Sequence, residues 1–84
     1  MKHEVRLLRG YKKAGDNLEI EIDLKGVDLE KLQKIFNIPQ DDPMYNCYPV
    51  GQKEKKMLQP YAAALIEIEK YDFFLECHAE ISTQ

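Results

Sequence analysis

The sequence predicts an α+β domain in which one or two short helices cover one face of a four-stranded, mainly antiparallel sheet, in the order β-β-α-β-(α)-β. Two runs in which apolar and polar residues alternate, residues 18–24 and 71–81, predict strands with one buried and one open face. Residues 29–36 carry apolar side chains at helical spacing. With 84 residues, 44% of them hydrophobic, the chain has enough apolar side chains for one hydrophobic core, so we expect residues 1–84 to form a single domain.

The first two strands are predicted to form a hairpin. Residues 4–11 contain apolar side chains at mostly alternate positions, and residues 18–24 alternate without a break. Residues 14–17, with the sequence Ala-Gly-Asp-Asn, form a turn cluster between the two runs.

The first helix has recognisable start and stop signals. Asp28 is a candidate N-cap, and Val27 before it can pack against Leu32 one turn later. Asn37 and Pro39 are typical of a helix end, so we expect the helix to end near residue 36.

The segment before the last strand predicts a loop, a short strand and a short helix. Residues 40–43 have loop composition, and residues 45–50 have the aromatic and apolar content of a third strand, which Pro49 limits to a sheet edge or a strand end. Residues 53–61 suggest a short helix that Pro60 ends or distorts. The side chains expected to point inward from it are Met57, Leu58 and Tyr61.

The last strand is predicted to separate core from surface residue by residue. Its core face comprises Phe73, Leu75, Cys77, Ala79 and Ile81, and its other face comprises Phe74, Glu76, His78 and Glu80.

The open face of the sheet is expected to be acidic. Strand two directs Glu19, Glu21 and Asp23 towards it, and strand one offers only Arg6 as a cation there. Acids side by side on a sheet repel one another. A solvated polar face is the plain interpretation, and a docking surface for a cationic protein is the functional one.

Composition argues against nucleic acid and membrane partners. Twelve basic and 15 acidic residues give a net charge of -3, which repels a phosphate backbone. No apolar run is long enough to span a bilayer, and the first residues lack the apolar stretch of a signal peptide, so we expect a cytoplasmic protein.

Metal binding and catalysis are not favoured by the spacing of reactive side chains. Asp41 and Asp42 form the one tight acidic pair, and Pro43 after them makes a turn the better interpretation. No glycine-rich phosphate loop is present. We therefore expect a protein that is not an enzyme and has no cofactor. No histidine or cysteine has the spacing of a zinc site, and we expect the cysteines to be reduced. These residues are His3, Cys47, Cys77 and His78.

Several motifs follow one another along the chain. A hydrophobic helix ends in Ile38-Pro39, and an acidic, asparagine-containing loop leads to Cys47-Tyr48. The later motifs are Leu58-Gln59-Pro60-Tyr61, Ile66-Glu67-Ile68 and Tyr71-Asp72-Phe73-Phe74. In order and spacing, these motifs resemble the cloacin-type immunity proteins, which neutralise bacteriocin nucleases. The chain departs from that family in its last seven residues and in lacking a tryptophan in the first strand.

The resemblance implies a sheet protein that inhibits a toxin nuclease by tight, stoichiometric binding, over the active site or beside it. In that family the position matching Cys47 lies on the contact surface. We therefore expect a basic toxin partner, a nuclease and most specifically a ribonuclease domain. The expected partner-binding residues are Glu19, Glu21, Asp23, Asp41, Asp42, Tyr45, Cys47, Tyr48, Phe74, Glu76, His78 and Glu80.

An alternative function is a non-enzymatic adaptor or a self-associating module whose open sheet pairs with a copy of itself, so a homo-oligomer stays open. Gene context discriminates between the two. A toxin gene directly upstream favours immunity, and an isolated gene favours the adaptor.

Overall fold

Four antiparallel strands form one sheet in the computed structural model, and two short α helices pack on one of its faces. The structure describes residues 2–15 and 17–81, and the side chains of residues 5–15 and 17–77. The predicted α+β fold and element order are confirmed. The elements are β1 (Lys2–Lys12), β2 (Leu18–Asp23), α1 (Leu29–Phe36), β3 (Tyr48–Pro49), α2 (Gln52–Leu58), a 3-10 turn (Gln59–Tyr61) and β4 (Tyr71–Ile81).

The strand order β2-β1-β4-β3 puts the two longest strands in the centre of the sheet. β1 and β4 pair along their full lengths, from Lys2 opposite Ile81 to Lys12 opposite Tyr71. β3 has two residues, fewer than the predicted 45–50, and lies at an edge. Pro49 explains the edge position, because it has no N–H to donate to a further strand.

The core lies between the sheet and the helices. Gly10 of β1 has a specific role in it, because a Cβ atom there would lie 2.7 Å from both the Ile20 side chain and the Phe73 ring. Only glycine therefore lets these side chains lie flat against the central strand. The residues of the main buried cluster are Leu8, Ile22, Leu32, Ile35, Met44, Val50, Leu58, Ile66, Phe73 and Leu75.

Both ends of α1 are as predicted. The Asp28 carboxylate accepts a hydrogen bond from the backbone N–H of Lys31 at 2.9 Å, and Asn37 ends the helix in the left-handed conformation with φ 57°. The apolar residues Leu32 and Ile35 face the core. The Asp28 cap and the left-handed Asn37 therefore set the two ends of this helix.

α2 differs from the prediction in one side chain. Leu58 is buried, and Tyr61 in the following turn is half-buried. Met57, expected to point inward, is 40% exposed. A helix of seven residues presents one narrow face to the core, and successive residues point about 100° apart, so Met57 and Leu58 cannot both lie on it.

β1 presents the opposite face to that inferred from the sequence. Arg6 pairs with Cys77 on the helix-covered face, and its Nη2 donates to the Pro43 carbonyl at 2.6 Å. Arg9, not Arg6, is the cation of the open face, where it pairs with Glu21. The expectation for Arg6 is wrong because β1 carries apolar residues in both phases, Leu7 and Leu8 both being buried, and the close contact at Gly10 decides which phase faces the helices.

Candidate partner-binding surface

The sheet face turned away from the helices is the open face. Residues paired across antiparallel strands share a face. The open face therefore includes Arg9 and Tyr11 of β1, Glu21 and Asp23 of β2, and Asp72, Phe74 and Glu76 of β4.

Arg9 links the three strands through two carboxylates. Its Nε donates to Glu21 Oε2 at 2.7 Å, and its Nη1 donates to Glu76 Oε1 at 2.8 Å. The hydrogen bonds to Glu76 and then to Glu21 hold the pKa of Arg9 above its usual range. Arg9 is therefore a fixed cation in the middle of the open face.

Tyr11 completes this network from the other side of Glu76. Its hydroxyl donates to Glu76 Oε2 at 2.5 Å. This hydrogen bond, followed by partial burial, raises the pKa of Tyr11 to about 12. Both oxygens of Glu76 thus have a donor, and only 12% of the side chain is exposed.

The outer acids differ in their pairing. Glu19 lies 3.5 Å from Lys12 Nζ, and Asp72 lies 2.9 Å from Lys13 Nζ. Asp23 is exposed and has no ion pair with any described side chain. The open face therefore carries less uncompensated charge than alternation alone indicates, because Arg9 and Lys12 of β1 and Lys13 directly after it supply cations.

A shallow depression of about 370 Å³ opens on this face. The Tyr11 and Phe74 rings meet edge to face with centroids 5.9 Å apart. Cys47, an exposed free thiol, lies beside Glu76 because the chain enters β3 there. The residues lining the depression are Tyr11, Cys47, Asp72, Phe74 and Glu76.

The loop that carries Cys47 is held by a buried glutamine. Gln33 of α1 is 5% exposed, and its Nε2 donates to the carbonyls of Gln40 and Asp42 at 3.1 and 2.7 Å. The Asp42 carboxylate accepts from the Met44 N–H at 2.8 Å, and the Met44 side chain is buried. Asp42 is therefore a turn residue, whereas Asp41 is exposed.

The remaining predicted site residues fall into three groups. Tyr45 is 57% exposed in the loop that carries Cys47. Tyr48 was expected on the open face, but it packs against the core, with its ring centroid 5.8 Å from that of Phe36. The reason is that β3 pairs Tyr48 with a buried residue of β4. This burial raises the pKa of Tyr48. His78 and Glu80 lie in β4, but their side chains are outside the described residues.

Sequence interpretation missed two residues of this surface, Arg9 and Tyr11, and one that supports its loop, Gln33. Arg9 and Tyr11 lie two apart on β1, so the signal was present, but it depended on the phase of that strand. Gln33 is a polar residue between apolar neighbours on the core side of α1, which is itself a signal for a buried hydrogen-bonding role.

The described part of the chain contains neither a candidate metal site nor a membrane-spanning helix. No group of three or more His, Cys, Asp or Glu side chains among them is placed to hold a metal ion. None of the helices described is long and apolar enough to cross a membrane.

These features define a small α+β domain with a helix-covered face and an open face that bears a charged network and an aromatic depression. Residues 5–76 match the family described as Domain of unknown function (DUF7683), and the chain belongs to that family. No curated protein matches the chain.

Proposed function

We propose that this domain is an immunity protein that binds and inhibits a bacterial toxin nuclease, delivered as a bacteriocin or by contact. It works in the bacterial cytoplasm by occupying the nuclease and catalyses no reaction itself. The partner is a basic domain, most specifically a ribonuclease, and the contact is made by the open face.

The observation that carries this proposal is the meeting of two distant motifs. Cys47 and Phe74 belong to two separate segments that resemble cloacin-type immunity proteins, and both line the same depression on the open face. The pairing of Pro49 with Phe74 brings the two segments together. Motifs that resemble a binding family therefore converge on the accessible side of the sheet.

The other motifs of the resemblance build the frame beneath this surface. Leu58 is fully buried, and the Gln59 side chain bridges the chain by accepting from the Ile66 N–H and donating to the Ala64 carbonyl, each at 2.9 Å. Phe73 is buried while Phe74 faces outward. The motifs that carry the resemblance therefore include both core and surface residues.

The charge of the open face supports a basic partner. Acidic groups on an interface accelerate encounter with a cationic protein, and aromatic groups at its centre supply the anchors. Asp23 is an exposed acid of the open face, and Tyr45 is an exposed aromatic residue of the loop that carries Cys47.

Co-expression tests this function directly. The C-terminal domain encoded by the gene directly upstream is expressed from a tightly repressed promoter, with and without this chain. We expect that domain to arrest growth and degrade RNA, and this chain to restore growth and to form a 1:1 complex in which the purified nuclease is inactive.

Two charge-reversal variants give the matched control. Asp23→Lys on the open face should weaken protection, whereas Glu30→Lys on α1, at the opposite layer, should not. Full growth arrest in the presence of folded chain would refute the immunity function. A dimer of the chain that buries the open face would instead support the adaptor.

A further inference from the structure

Among the described side chains around the depression, carboxylates outnumber cations. The three carboxylates Glu21, Glu76 and Asp72 are ion-paired with two cations, Arg9 and Lys13. The network therefore holds one negative charge more than its cations neutralise. A cation brought in by a binding partner would complete it.

The carboxylates that face the depression have acceptor capacity left. Glu76 accepts one hydrogen bond at each oxygen, and Asp72 accepts one at Oδ1. An ionised carboxylate has about four lone-pair sites, so each of these groups can accept a further donor. Arg9 and Tyr11 hold Glu76 in place, which makes them positioning residues for this site.

The walls of the depression suit the stem of a long cationic side chain. Tyr11 and Phe74 present aromatic surface beside the two carboxylates, and aromatic rings attract ammonium and guanidinium groups. Its volume of about 370 Å³ is at the small end of ligand sites, which span about 300–1,000 Å³. The depression is open on one side, so a free small molecule would stay half solvated.

We propose that this depression receives one cationic side chain, arginine or lysine, from the toxin partner. The inference rests on the proposed function, and adds the place and the chemistry of a single anchoring contact. The carboxylates of Asp72 and Glu76 bind the charged group, and Phe74 and Tyr11 contact its aliphatic stem.

The exposed thiol of Cys47 reports on this site without any toxin. The chain is equilibrated at low salt with cystamine and 2-hydroxyethyl disulfide under a thiol buffer. In each exchange a Cys47–sulfur bond forms as the reagent's S–S bond breaks, and the other half leaves as a thiol. Acid quenching and peptide mapping then give the ratio of cationic to neutral adduct at Cys47.

We expect the cationic adduct to be favoured about three- to tenfold over the ratio found in the denatured chain, because two carboxylates line the depression. Asp72→Asn should remove most of this preference. Glu30→Gln, which removes an ion-paired carboxylate from α1, should leave it unchanged. A ratio equal to that of the denatured chain, or one insensitive to Asp72→Asn, would overturn the inference.

Affinity measurements on the toxin complex distinguish this inference from the proposed immunity function on which it rests. Asp72→Asn should raise the dissociation constant of the complex about tenfold, and Glu30→Gln should not change it. A complex indifferent to Asp72→Asn would overturn the inference and leave immunity standing. Absence of any complex would overturn the proposed function, and with it the toxin as the source of the cation.

Discussion

Strand alternation places Glu76 on the surface of the sheet, but its contacts with β1 leave the side chain half-buried. β4 places it on the open face, but Arg9 and Tyr11 from β1 each donate to one of its oxygens. A carboxylate held in this way contributes to the stability of the sheet as well as to its charge. Its substitution therefore tests folding and binding together, whereas that of Asp23 tests binding alone.

Charge reversal at these two positions should have different effects on folding. Glu76→Lys places a second cation beside Arg9 and leaves the Tyr11 hydroxyl without its acceptor, so we expect a loss of about 1 to 3 kcal/mol in the free energy of unfolding. Asp23→Lys, at an exposed position, should change it by less than about 0.5 kcal/mol. Urea unfolding measures both, and equal midpoints for the two variants would contradict the hydrogen-bonded role of Glu76.

Tyr11 gives this network a pH dependence at high pH. Its pKa in the folded chain, about 12, is above the ordinary value of about 10 for an unfolded tyrosine. The bond to Glu76 is therefore fully present below about pH 10 and is lost as the pH rises towards 12. At pH 7 we expect Tyr11→Phe to lower the free energy of unfolding by about 1 kcal/mol.

The same variant supplies its own control across the pH window. The stability difference between wild type and Tyr11→Phe should shrink steadily in urea unfolding between pH 10 and 11.5. The four other tyrosines titrate in both proteins, so their contributions cancel. A difference that stays constant up to pH 11.5 would show that the hydroxyl proton is not held by Glu76.

At the scale of elements, the loop between α1 and β3 is ordered by the helix that precedes it. Gln33 donates to two loop carbonyls, and the buried Met44 fixes the far end of the turn. Since this loop leads to Cys47, the position of one wall of the depression depends on an amide on the other side of the sheet.

Gln33→Met tests this dependence because methionine has a similar shape but no donor. We expect a loss of about 1 to 3 kcal/mol in stability, since the Gln40 and Asp42 carbonyls lose their donor. Hydrogen exchange should quicken in residues 40–47 more than elsewhere. Lys34→Met, one residue along and 69% exposed, is the control and should alter neither property. Uniform quickening over the whole chain would mean that Gln33 stabilises the core and not the loop.

The elements differ in how far the sequence predicts them. β2 and β4 alternate with one apolar phase, so their buried faces follow directly. β1 does not, because Leu7 and Leu8 offer both phases, and its choice depends on the close contact at Gly10. The local sequence pattern therefore predicts that β1 is a strand but not which of its faces is covered by the helices. This is why Arg6 was expected on the wrong face.

For the whole molecule, the sequence predicts which residues lie on the surface better than it predicts which of them form ion pairs. The resemblance predicts a contact surface at Cys47, and the alternation of β4 predicts Phe74 on the open face; the structure brings both to one depression. The ion pairs of Arg9, Lys12 and Lys13 depend on strand order and register, which neighbouring residues in the sequence do not encode.

The net charge of -3 should govern how fast the whole molecule meets a basic toxin. Internal ion pairs do not cancel this charge, and at 0.05 M salt its field extends over more than about 10 Å. Raising NaCl from 0.05 to 0.5 M should slow association on the order of tenfold while changing dissociation less than about threefold. Stopped-flow mixing with the toxin domain measures both rates.

Two neutralising variants separate the open face from the overall charge in that measurement. Asp23→Asn and Glu30→Gln each remove one negative charge, the first from the open face and the second from the opposite layer. If the face itself steers the encounter, Asp23→Asn should lower the salt sensitivity of association more than Glu30→Gln does, because the steering field falls off within a Debye length of the docking site. Equal effects would assign steering to net charge alone, and an association rate indifferent to salt would rule out acidic steering even where the complex forms.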